Sequence, residues 1–165
     1  MPPQPPPLDE ETKRERLNRE LIELLNELRV ALAGVTVLFA FLLTLPFSSR
    51  FEQLDGFQKN TLIFAFFAAA SAIVTLVMPT AFHRIRWRHG DKEALLLTSN
   101  RLAVIGTICL AVALTSVVLL FTELFFSDPV AIAITVVFGA VLGWLWFVFP
   151  IARWARDDSA PTRRR

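Results

Sequence analysis

Four stretches of this chain, 30–49, 60–83, 102–122 and 129–152, contain no Lys, Arg, Asp or Glu. They are 20, 24, 21 and 24 residues long and together take up 89 of the 165 residues. The hydrocarbon core of a bilayer is crossed by about 20 apolar residues of helix, each rising about 1.5 Å. Every stretch is long enough to cross. Composition agrees, with 54% of residues hydrophobic and 19% charged, where soluble domains carry about 25% charge. The expected fold is all-α: an integral membrane four-helix bundle, with spans at about 30–47, 61–82, 102–122 and 130–150.

The flanks divide into three parts. Residues 1–11 read as a Pro-rich disordered leader, because Pro2, Pro3 and Pro5 to Pro7 offer no amide donors to a helix. They lack a basic region leading into a short apolar core, so a cleavable signal peptide is not expected; the first span serves as an uncleaved anchor. Residues 12–29 read as an amphipathic cytoplasmic helix, opened by a Thr12/Glu15 capping box. Leu17, Leu21, Leu24 and Leu28 form its apolar stripe, widened by Leu25, and Glu20, Glu23 and Glu27 form an acidic row beside it. That segment is too acidic to be drawn onto an anionic leaflet, so it is expected to pack on protein. No Pro or Gly separates it from Val30. Residues 153–165 read as a basic disordered tail.

Orientation follows from Lys and Arg counts. The N-terminal arm, the middle loop and the tail carry five each; the first loop has Arg50 and Lys59, and the third loop has none. The split of fifteen against two puts both termini and the middle loop in the cytoplasm, the N-in/C-in arrangement. Trp87, Trp144, Trp146 and Trp154 all fall near that boundary, where amphipathic indoles concentrate. Localisation to the cell (plasma) membrane is the matching expectation.

Prolines and caps punctuate the spans. Pro46, Pro79 and Pro150 close helices one, two and four; Asn60 is a candidate cap for helix two, and Asp128-Pro129 for helix four. Phe47, Phe51, Leu54 and Phe57 are spaced for one face of a short outer helix. Helices three and four, joined by a tight hairpin, should be antiparallel neighbours.

The chemistry of the spans is sparse. Proton-coupled transport generally needs an intramembrane acid or His, whereas the polar residues here are Thr36, Thr44, Ser71, Thr75, Thr107, Thr115, Ser116, Thr122 and Thr135. Such hydroxyls usually bond back to their own helix. Glu123 is the acid nearest the membrane and reads as a solvated residue of the outer hairpin. Cys109 is the only cysteine, a packing residue that excludes an intramolecular disulfide. His83, His89 and Asp91 make a His-x5-His-x-Asp string, but with neither i,i+4 histidines nor a thiolate it does not read as a metal site. No catalytic set, cofactor motif or nucleic-acid surface is expected, and neither is enzymatic activity. Arg84, Arg86, Arg88, Lys92 and Arg101 are candidates for anionic lipid headgroups, with Arg101 alternatively pairing with Glu20, Glu23 or Glu27. Gly139 and Gly143 form a small-x3-small pair suited to helix–helix contact, and Gly34 and Gly106 are further close-contact candidates.

The strings Leu24 to Val30, Leu42 to Phe47 with Phe51, Phe82-His83-Arg84, Asn100 to Ala103 and Trp144 to Phe147 resemble a family of small actinobacterial membrane proteins of unknown function. The resemblance runs from about Arg16 to Pro150 and implies four transmembrane helices with cytoplasmic termini. Some members carry the label of sodium:proton antiporter, which the charge-free spans of this sequence do not support. Two functions follow as expectations. The first is a non-catalytic bundle that assembles with itself or regulates a membrane partner. The second is a small ion-transport component, cation:proton antiporter-like or an oligomeric pore, whose pathway forms only if copies combine or a partner contributes.

Overall fold

The computed structural model describes residues 8–86, 92–149 and 151–153. Four helices account for nearly all of them: α1 (Leu8–Thr44), α2 (Gly56–Arg86), α3 (Lys92–Glu123) and α4 (Asp128–Gly143), which runs on as a π-helical turn (Trp144–Val148). Each contains a segment long and apolar enough to cross a membrane: Ile22–Phe47, Gly56–Ala81, Leu97–Glu123 and Asp128–Val148.

Helix α1 is unbroken over 37 residues, about 56 Å at 1.5 Å per residue, so the amphipathic segment and the first span are one rod. It starts at Leu8, inside the stretch expected to be disordered. Thr12 therefore lies within the helix and cannot cap it. Helix α2 also starts earlier than expected. Asp55, not Asn60, caps it: Asp55 Oδ1 accepts the Gln58 N–H at 2.8 Å and Gln58 Oε1 accepts the Asp55 N–H at 3.3 Å. This is a reciprocal capping box with Asp and Gln in its two roles.

Two further expectations change. Pro79 lies inside α2, which continues to Arg86, and its side chain is buried. Its missing N–H leaves the Thr75 carbonyl without the usual i+4 donor, a gap that a packed neighbour helix tolerates. The link between α1 and α2 is not one amphipathic helix but two 3-10 turns, Leu45–Phe47 and Phe51–Gln53. Phe47 is 90% exposed, while Phe51 packs against the core, so the four apolar residues do not share a face.

The helices pack in chain order, with α2 against α3 most extensively, α1 against both, and α4 against α3. The short links make neighbours antiparallel. One end of the bundle, the hairpin end, carries the 45–55 and 124–127 links. The other, the terminal end, carries the start of α1, the end of α2, the start of α3 and the end of α4. Buried positions recur every three or four residues. In α2 they are Leu62, Ala65, Ala69, Ala72, Leu76 and Pro79; in α3 they include Ser99, Ala103, Gly106, Ala113 and Leu120. In α1, Leu28, Val35 and Leu42 are buried at intervals of seven. A 3.5-residue repeat is the mark of helices wound in a left-handed supercoil.

Small side chains let α2 and α3 approach. A Cβ at Gly106 would stand 2.7 Å from the Leu76 side chain and 2.8 Å from Thr75 Oγ1. Over an apolar 18-residue stretch of each span, 28% and 22% of residues are buried in α2 and α3, against 11% in each of α1 and α4. The inner pair is the core of the molecule, and the outer two helices flank it.

Candidate functional site

Three places carry the residues with functional potential: the terminal end, the hairpin end, and a groove between α3 and α4.

At the terminal end, the stripe of α1 meets the core through Leu24 and Leu28. The side chains of Leu17 and Leu21 lie outside the described residues. Glu23 and Glu27 are exposed, and Glu20 accepts a 2.9 Å hydrogen bond from Arg16 Nε one turn earlier. No ion pair joins Arg101 to Glu20, Glu23 or Glu27 among the described residues. Arg101, Glu23 and Glu27 are all exposed. Arg84 and Arg86 sit on the last turn of α2, and Lys92 opens α3. Their side chains, the whole of Arg88, and the ligating atoms of the His83, His89 and Asp91 string lie outside the described residues, as do Trp87 and Trp154. Trp144 is exposed at the start of the π turn with Trp146 nearby. The Phe149 N–H reaches the Trp144 carbonyl, and the Arg153 guanidinium stands 5.0 Å over the Phe149 ring. Pro150, next in sequence, has no N–H to continue the α-helical ladder.

The spans are closed to polar chemistry by their own hydrogen bonds. Thr36, Thr44, Thr75, Thr107, Thr115, Ser116, Thr122 and Thr135 each donate to a carbonyl three or four residues earlier, at 2.7 to 2.9 Å. These hydroxyls spend their donor on their own helix, as the sequence suggested.

The hairpin end differs from expectation. Glu123 is the last residue of α3 and half-buried, with Oε2 shielded from solvent and without a hydrogen-bond partner. The helix runs through it instead of ending at Thr122. It stands at a helix C-terminus, where the dipole disfavours an anion, and Asp55 and Asp128 act on it with like charge. Asp128 itself lies in the first turn of α4, with Ser127 in the N-cap position, one residue from the expected boundary. Glu123, at the end of α3, thus feels the charge of one acid where α2 begins and of another where α4 begins. Among the described residues, no group of three or more His, Cys, Asp or Glu is placed to hold a metal ion. Glu123 and Asp128 border charge-free stretches on either side of one short hairpin, whereas Asp55 lies far from both in the sequence and borders no such stretch.

The third place is a groove of about 400 Å³ lined by residues of α2, α3 and α4, among them Phe64, Thr115, Ser116, Gly139 and Gly143. A Cβ at Gly139 would meet Thr115 Cγ2 at 3.4 Å, ordinary contact, while one at Gly143 would meet nothing within 4 Å. Gly139 therefore sits against α3, and Gly143 opens onto the groove. Gly34 likewise has no neighbour within 4 Å, whereas Gly106 is tightly enclosed.

No curated protein and no solved structure matches the chain. A family model does match, over residues 10–150, and its description is a family of unknown function, DUF6328. With four helices long and apolar enough to span a bilayer and that match covering most of its length, the chain belongs to the DUF6328 family.

Proposed function

We propose that this chain is a non-catalytic multi-pass protein of the cell membrane, with both termini and the 84–101 segment in the cytoplasm, and that it works by assembly. It joins either with copies of itself or with a membrane partner whose activity it adjusts. The observation that carries this reading is the state of the four charge-free stretches at the heart of the spans: eight of their hydroxyls are bonded back to their own helices. A coupled transport path generally needs a titratable or coordinating group within the membrane. What the chain offers to other proteins is the long α1 rod, at 37 residues longer than the 31 of α2 and the 32 of α3, with Glu23 and Glu27 exposed on its flank.

The experiment is removal of residues 1–28 from the expressed protein, followed by gentle extraction and measurement of the complex mass. Loss of a defined complex supports assembly through the α1 rod. A truncated protein that assembles and supports the cell like the full chain refutes it.

A second reading, an ion-transport component, draws on Glu123. A carboxylate with a shielded, unpartnered oxygen beside two further acids is the kind of group found at a cation entrance. Cation flux into liposomes containing the purified protein, abolished by Glu123→Gln, would favour this reading over assembly alone.

A further inference from the structure

The groove between α3 and α4 has a composition, a depth and a size that together select one kind of occupant. Its lining is apolar apart from Thr115 and Ser116, and both hydroxyls already donate within α3, to Ala111 and Val112. Nothing in it asks for a polar ligand. Every lining residue lies in a charge-free stretch, and Gly139 and Gly143 fall near the middle of theirs, so on the membrane reading the groove opens at hydrocarbon depth. A void there is filled by lipid or by protein, because no water is available to fill it.

Size decides between the two. Eight residues line the groove, whereas a stable protein–protein interface takes roughly 20 to 30 residues on each side. A helix is about 10 Å wide and rises about 5.4 Å per turn, so a volume of about 400 Å³ accommodates no more than about one turn of it. A single acyl chain is much narrower and can lie lengthwise. Gly143 contributes to this space by having no side chain, since the position of its Cβ is open.

We propose that the groove between α3 and α4, lined in part by Thr115 and Ser116 and left open at Gly143, is a seat for one acyl chain of a membrane lipid. The proposal rests on the membrane reading but not on assembly.

The test uses the full chain reconstituted with a phosphatidylcholine that carries a diazirine midway along one acyl chain. After irradiation, adducts are mapped by mass spectrometry. The expected result is a concentration of adducts on residues 111–116 and 139–143. Gly143→Leu should lower them about tenfold by filling the seat, while Val141→Leu, on the opposite side of α4, leaves them unchanged. Because the wild-type map is informative alone, poor folding of the leucine variant would not remove the test. Adducts spread evenly over the exposed faces of α1 and α4 would overturn the proposal, as would a wild-type pattern persisting in folded Gly143→Leu. So would efficient oxidation of Gly143→Cys, in a Cys109→Ser background, to a dimer, since a second copy would then hold the groove.

Discussion

Gly106 and Gly143 are the same residue in two different packings. At Gly106, on α3, the α2 helix is so close that even a methyl group would collide with Leu76 and Thr75. At Gly143, on α4, the same methyl group would meet nothing. The contrast shows where this bundle is made. The α2–α3 seam at Gly106, in helices whose buried positions include Ala65, Ala69, Ala72, Ala103 and Ala113, is a close backbone approach, which in lipid supplies the dispersion contacts that the hydrophobic effect cannot. The α3–α4 contact is looser and holds a groove. Close packing belongs to the inner pair, and open space to the flank.

The largest expected effect follows from the tight side of this comparison. Gly106→Leu should destabilise the bundle by about 3 kcal/mol or more, through overpacking against a helix that cannot retreat. Thermal unfolding in mild detergent would read this as a much lower midpoint or loss of folded protein; a wild-type midpoint would break the argument for a close seam. Next is the cap of α2, because Asp55 holds both ends of a reciprocal hydrogen-bond pair with Gln58. Asp55→Ala should cost about 1 kcal/mol, and Asp55→Asn should recover most of it in the same assay. Smaller again, and opposite in sign to Gly106→Leu, is Gly143→Ala. Replacing a helical glycine in open space should stabilise by about 0.5 kcal/mol, and a clear drop in midpoint would mean that something covers Gly143. The smallest effect is expected at the terminal end, where Arg16→Ala removes only an exposed i,i+4 pair with Glu20 and should change stability by about 0.3 kcal/mol.

The two sides of the comparison were not equally legible in the amino-acid order. The four helices are announced by charge, since Arg29, Arg50, Lys59, Arg101, Glu123 and Asp128 stand at or beside their borders. The packing seams are not announced. In a soluble helix a polar face marks the outside, but here Phe64, Phe67 and Val74 of α2 are exposed and as apolar as the buried Leu62 and Leu76, so hydrophobic periodicity fades. What separates inside from outside is size, with alanine and glycine on the α2–α3 seam and phenylalanine and valine on the exposed faces. The stripe in residues 17–28 was visible because that part of α1 carries charged residues for contrast, and its seven-residue spacing continues through Val35 and Leu42 into the span. The Asp55 cap was also present as Asp-x-x-Gln, overshadowed by Asn60 nearer the charge-free stretch. Charge alone ends α3 at Thr122 and leaves Glu123 to the hairpin, whereas the helix includes Glu123 and closes beyond it: the Phe125 and Phe126 N–H groups both reach the Thr122 carbonyl.

Assembly is the central functional claim, and the mass of the complex tests it most directly. The chain would be extracted gently from its native membrane, its mass measured, and the co-purifying proteins identified. The account predicts a defined species larger than one 18.6 kDa chain, either a homo-oligomer or a fixed-ratio complex with another membrane protein. A bare monomer, with no partner under several mild extraction conditions, would contradict it.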